Sequence, residues 1–401
     1  MTNASDLYGL PVSNSGPALD VWLEGLHCAD SFDASGIAEL SKAVKLAPNF
    51  AIAHVALAKQ QMFYGYIELS RTSLATARAL SGEVTNREAS LIQVFDATIN
   101  FQSNALEIAL THLDQWPLDR FVFSLIVGPF GLLAFSGQRD WREKCLALLL
   151  HHQASWPKED WWYLSALAFS KAECGFTAEA EDLGRRAWEQ SANGNCTHSL
   201  SHIFKEQGNT TKGLSLIKTW LQGTQNRSNM RHHLVWHMAL LDIESGIADQ
   251  SSMDQLYRNE LDPNISQSMP LDIYADNASF LWRCLLHDIP LNNHFVEQTL
   301  SHGKQYFPEL GFGFADMHRV LLTALAGSES EVFELRSAIA KLENHDYLGS
   351  LLDGMLAFTQ RDFSATSEQL KPLLDDTILL GGSNPQRGII AETYQMALNH
   401  G

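Results

Sequence analysis

The sequence predicts an all-α fold, an α-solenoid of degenerate helix-pair repeats, on three observations. Alternating apolar and polar runs are almost absent, and segments of about 12 to 17 residues instead carry apolar side chains at helical spacing. Brief stops of Gly, Asp, Asn or Pro separate these segments. The stops also recur: Gly137, Gly175, Gly208 and Gly246 lie 38, 33 and 38 residues apart. A helix pair returning about every 33 to 42 residues is the mark of a solenoid.

In chain order, residues 1–16 read as a polar N-terminal segment, and residues 17–400 as one continuous superhelical domain. Phe50 to Gln60 (FAIAHVALAKQ) reads as one helix, and Leu69, Leu74, Ala75 and Ala77 mark its partner. Arg87 and Glu88 open a further helix and read as a local ion pair. Two kinds of break alternate. Each glycine named above suits the left-handed position that ends a helix. Ala47-Pro48, Trp116-Pro117 and Trp156-Pro157 end one helix and begin the next. His151-His152 and the stretch from Trp156 to Trp162 read as packing between repeats. The segment around Ala43, Leu46, Pro48 and Ala56 resembles the tetratricopeptide repeat, in which small residues let paired helices approach closely.

Composition narrows the function. Of 401 residues, 45% are hydrophobic and 18% charged, the balance of a globular chain. The formal charge of −18 opposes binding to phosphate backbones or anionic lipid, so neither a nucleic-acid nor a membrane partner is expected. The N-terminus lacks the basic and apolar regions of a secretory signal. Five scattered cysteines without a CxxC pair suit a reducing cytoplasm. Cys196 next to His198 reads as an inert thiol rather than a nucleophile.

Chemistry-bearing residues concentrate in the middle. Five of the 16 histidines lie between His198 and His237. His198, His202 and Glu206 stand at i, i+4 and i+8 and share one helical stripe. His233 and His237 repeat the i, i+4 spacing, as do Asp272 and Asp276; Asp316 and His318 follow one helix later. Imidazoles beside carboxylates bind a divalent transition metal or form acid–base pairs that titrate near neutrality. No HExxH motif is present, so the metal is not specified by spacing. Near the C-terminus, Gly381-Gly382-Ser383-Asn384-Pro385-Gln386-Arg387 reads as a capped helix start. There Ser383, Asn384, Gln386 and Arg387 would hold an anionic group.

In combination these motifs resemble the tetratricopeptide repeat protein 38 family and its bacterial relatives, over almost the whole chain. The shared residues are His198, His202 and Glu206, then His233 to His237 with its Leu-Leu-Asp-Ile-Glu-Ser-Gly continuation. Asp272 and Asp276 ahead of Leu281-Trp282-Arg283, Asp316-Met317-His318 and the Gly381 to Arg387 run complete the set. Leu10 to Ser13 and Thr85 to Glu88 also agree. The resemblance implies a closed tetratricopeptide-like superhelix with a polar interior. One departure stands out: the family's His-Asp pair ahead of the cluster is replaced here by Gly128-Pro129-Phe130-Gly131. The expectation is an enzyme, or an enzyme-like binding protein, for a small polar or anionic molecule. His198, His202, His233 and His237 would be acid–base groups or metal ligands, with Asp276, Asp316 and His318 in the catalytic set. Glu206, Asp272 and the C-terminal turn would contact substrate. The alternative is a scaffold that takes a peptide or protein partner in its groove.

Overall fold

A computed structural model describes residues 4–401 apart from 224–226, 291, 327 and 344. Its described residues form 21 α-helices and no strand, with only two isolated bridges, Ser5 to Pro11 and Asp33 to Ser228. No described helix is long and apolar enough to cross a membrane.

The helices fall into two compact units. The first holds residues up to Asn209, with 218–231. Its helices are α1 (Pro17–Asp30), α2 (Gly36–Leu46), α3 (Ala51–Phe63), α4 (Ile67–Ala79), α5 (Asn86–Ile99) and α6 (Ala105–Gln115). They continue with α7 (Arg120–Ile126), α8 (Trp141–His152), α9 (Trp161–Glu173), α10 (Thr177–Gln190) and α11 (Gly194–Glu206). Helix α12 (Thr210–Gly223) divides its residues between the units. The second unit takes 210–217 and 232–401. It contains α13 (Arg231–Glu244, from His232), α14 (Gln250–Leu256), α15 (Pro270–Leu286), α16 (Asn293–Tyr306) and α17 (Gly313–Ala326). After these come α18 (Glu329–Ile339), α19 (His345–Thr359), α20 (Phe363–Leu370) and α21 (Asn384–His400).

Sequence neighbours pack as hairpins, α1 on α2, α3 on α4, α5 on α6, α9 on α10, α15 on α16 and α19 on α20. One turn closes most of them. At the end of α9, Gly175 has φ 87°; its N–H donates to Ala172 O and Phe176 N–H donates to Lys171 O, each at 2.9 Å. That reciprocal pair satisfies two carbonyls the helix leaves open. Gly65, Gly208 and Gly246 repeat it, and so do four residues with side chains, Phe32, Phe101, Asp288 and Arg361, at φ 60°, 53°, 54° and 62°. Gly137 also has a positive φ of 73°, but it closes an irregular turn rather than a helix. Gly128-Pro129 has already ended α7, because proline has no N–H to continue the ladder.

Small residues set the distances. A Cβ on Gly25 of α1 would stand 2.8 Å from Leu40 Cγ of α2, and one on Gly184 of α10 would stand 2.9 Å from Leu200 Cδ2 of α11. Phe50 and Phe95 in the first unit and Phe280 in the second are fully enclosed, each contributing about 1.5–3 kcal/mol of burial. The N-terminal segment is tied down. Asp6 pairs with Arg87 at 2.9 Å, and Tyr8 donates to Asp160 at 2.7 Å. Arg87 and Glu88 therefore part company: Glu88 closes a capping box with Thr85, while Arg87 reaches Asp119 at 2.7 Å.

Candidate functional site

Helix α11 begins where the side chain of Asn193 accepts from Cys196 N–H. From that start, His198 and His202 stack one turn apart. Their rings are perpendicular, at 89° with centroids 4.5 Å apart, and their Nε2 atoms approach to 2.8 Å. Phe169 of α9 stacks on His198 and sets its edge against His202. His202 is buried, His198 half-buried, and Glu206, at the end of the stripe, exposed. Buried at the head of α11, the Cys196 thiol is pushed up to about 12, which leaves it unreactive.

Helix α13 presents the second pair. His233 and His237 are both buried, with ring centroids 4.7 Å apart at 87°. Trp236 stacks on His233 at 5.0 Å and donates its indole N–H to Ser279 of α15. Asp276 of α15, with no exposed surface, meets His233 Nδ1 through Oδ2 at 2.8 Å. Burial opposes the imidazolium of His233, but the Asp276 carboxylate more than offsets it and raises the pKa. Burial likewise raises Asp276 against the pull of His233. One turn earlier, Asp272 is pushed up to about 7, first by burial and then by the Asp276 carboxylate.

The C-terminal turn is built as the sequence suggests, but its polar groups face one another. Gly381 and Gly382 have φ of 74° and 79°. Ser383 and Gln386 form a reciprocal capping box at the start of α21. The Arg387 guanidinium donates to Gly382 O and, at 2.6 Å, to Asn384 Oδ1. The anion-holding role expected of Ser383, Asn384 and Arg387 thus coincides with groups that also hold the turn together. Gln386 additionally reaches Asp276, linking this turn to α15.

Asp316 and His318 lie near the start of α17 and do different work. Asp316 Oδ2 accepts Gly311 N–H at 2.9 Å, and burial raises its carboxyl to about 6. His318 donates from Nδ1 to Phe314 O at 2.7 Å; its Nε2 is buried with no partner, and burial lowers its pKa to about 4.

Sequence patterns left three partners invisible. Phe169 and Trp236, which clamp the imidazoles, look like ordinary core residues in a helical stripe. Arg283 binds Glu392 through two nitrogens at 2.8 and 2.9 Å and also donates to Pro385 O at 2.6 Å, bracing α21 on α15. Glu392 and Pro385 lie over 100 residues away, so no local spacing announces them. No known family model matches the chain.

Proposed function

We propose that the protein is a metal-dependent enzyme acting on a small polar molecule, with His233 and His237 as one candidate ligand pair for a divalent transition-metal ion and His198 and His202 as another. The observation that carries this reading is the α13 pair. Asp276 occupies Nδ1 of His233, so the ring presents Nε2, one helical turn from His237. A carboxylate behind an imidazole is how proteins orient metal-binding histidines. The α11 pair supports the same reading. Two imidazoles bound to one ion at about 2.0–2.1 Å each bring their nitrogens to within about 3–3.5 Å of one another, close to the 2.8 Å between the Nε2 atoms of His198 and His202. Each pair has ring nitrogens to offer an ion, and His202, His233 and His237 are buried. A purely imidazole set suits zinc, copper, iron or nickel.

When bound, the ion would polarise a substrate oxygen or acidify a bound water. The chain's own residues do the rest. Asp276 fixes the His233 ring, Asp272 holds or releases a proton beside it, and Gln386 bridges toward the α21 turn. Buried Phe169 and Trp236 exclude water around the rings. The resemblance to the tetratricopeptide repeat protein 38 family and the recurring helix hairpins support a repeat scaffold around this chemistry. All five cysteines are free thiols, which suits a cytoplasmic setting.

Plasma mass spectrometry on the purified, untagged protein tests the reading, alongside His202→Ala and His237→Ala. Bound transition metal in the wild type is expected, reduced in each variant while the helical circular dichroism signal and cooperative unfolding persist. Metal content unchanged in the variants, or a wild type that takes up no ion after reconstitution, overturns it.

A further inference from the structure

We infer that Ser124 and Lys59 form a nucleophile–base pair that cleaves carboxylic esters. The inference concerns the first unit and uses none of the imidazoles. Lys59 lies on α3 and is 5% exposed. Its amine donates to Ser124 Oγ on α7 at 2.6 Å and sits over the Phe121 ring, 4.8 Å from the centroid. Among the described residues it has no carboxylate within ion-pair distance, although lysine is almost never enclosed unpaired. Enclosing an unpaired charge works against stability, so packing does not explain the residue.

The charged groups acting on Lys59 are Asp30 of α1 and Asp119 and Arg120 around the start of α7. Both carboxylates are held by guanidinium groups, Asp30 by Arg120 at 2.9 Å and Asp119 by Arg87 at 2.7 Å. Burial lowers the amine to about 8, and Arg120 adds to it against the pull of the two carboxylates. A neutral, basic amine is therefore populated near neutral pH. Ser124 is half-buried, and its hydroxyl donates to Phe121 O at 3.0 Å. Once Nζ has lost its proton, rotation about Cβ–Oγ turns that hydroxyl onto it. A serine within hydrogen-bond reach of a base is the arrangement of an activated nucleophile. Arg120 and Phe121 stand one turn before Ser124 on the same helical face. With Leu23 and Leu26 they line a cleft whose apolar walls suit a short acyl chain. In the reaction, Ser124 Oγ bonds to the ester carbonyl carbon as its proton passes to Nζ. The bond from that carbon to the alcohol oxygen breaks, and the alcohol leaves with the proton. Water then attacks the acyl carbon and gives a proton to Nζ. The acyl–Oγ bond breaks, the acid leaves, and the proton returns to Oγ.

The test treats the full chain with a fluorophosphonate in the presence of a chelator and locates the adduct by peptide mass spectrometry. Ser124 should carry it in the wild type, with none at that position in Ser124→Ala. Lys59→Met, which keeps the volume and removes the charge, should react at least about 100-fold more slowly, with an unchanged or higher urea midpoint. The wild-type rate should rise about tenfold per pH unit and level off above about 8. No adduct on Ser124, or Lys59→Met labelled at the wild-type rate, overturns the inference. Should Lys59→Met fail to fold, the pH profile decides: the rise supports the pair and a flat profile overturns it.

Discussion

Asp276 shows how much one side chain can carry. Its Oδ2 lies directly on Nδ1 of His233, a candidate metal-ligand imidazole, and the i, i+4 spacing that singled it out also named its neighbour Asp272. What the spacing could not say is which oxygen does which task, because that depends on α13 and α15 facing each other. Replacing Asp276 by Asn keeps the shape but lets the amide present the wrong group to Nδ1. Transition-metal affinity should then fall roughly 10- to 100-fold, read by competition with a chromogenic chelator, while the unfolding midpoint stays within a few degrees. The histidines were legible for a similar reason: five in 40 residues at helical spacing is a local pattern. The first unit's buried network was not. Arg87 meets Asp6 and Asp119, and His112 meets Asp119 at 3.0 Å, contacts made only when distant segments fold together. Ser383, Asn384 and Arg387 mark the opposite limit, since an anion-binding turn and a capped helix start share one sequence signature.

At the level of elements, the hairpin turn is the recurring device. The glycines that mark it were readable because a positive φ costs any residue with a Cβ roughly 1–2 kcal/mol. Phe32, Phe101, Asp288 and Arg361 adopt the same turn without glycine, so their helix ends were hidden. The difference is testable. Gly175→Ala should destabilise the protein by about 1 kcal/mol, whereas Phe101→Gly, at a side chain 75% exposed, should be neutral or stabilising by up to about 1 kcal/mol. Urea denaturation of the two variants beside wild type checks both signs. A Phe101→Gly change that costs as much as Gly175→Ala would mean that the ring, not the backbone, matters there. Gly137 shows the converse error of reading every glycine as a helix end: its φ is left-handed, but Pro129 had already ended the helix.

The whole molecule is acidic, and its buried titratable groups tie its stability to pH. His318 is held neutral down to about 4. The unfolded chain takes up that proton near 6.5, so between these values the unfolded state binds more protons and stability falls as pH falls, by up to about 1.4 kcal/mol per unit. Asp119 acts in the same direction lower down. Against the cost of burial, Arg87 and His112 hold its carboxyl well below the usual range, so its contribution is present above about pH 4 and is lost below. Asp272 and Asp316, raised by burial to about 7 and about 6, act in the opposite direction over the same range, so the sign to test is the difference: on going from pH 7.5 to 4.5 the urea midpoint of His318→Gln should fall less, or rise more, than that of wild type. An unchanged slope in the variant would mean that other groups carry the effect.

The sequence alone determined the helical class, the hairpin period, most glycine-marked turns and the two i, i+4 imidazole pairs, because helix formation and chain reversal depend on residues within a few positions of each other. Tertiary structure decided the rest. It set Asp276 behind His233, placed Phe169 against the rings of His198 and His202 and joined Arg283 to Glu392. Those outcomes depend on which helix packs beside which and at what distance, a matter of side-chain volume and charge across 30 to 150 residues of intervening chain that no local pattern encodes.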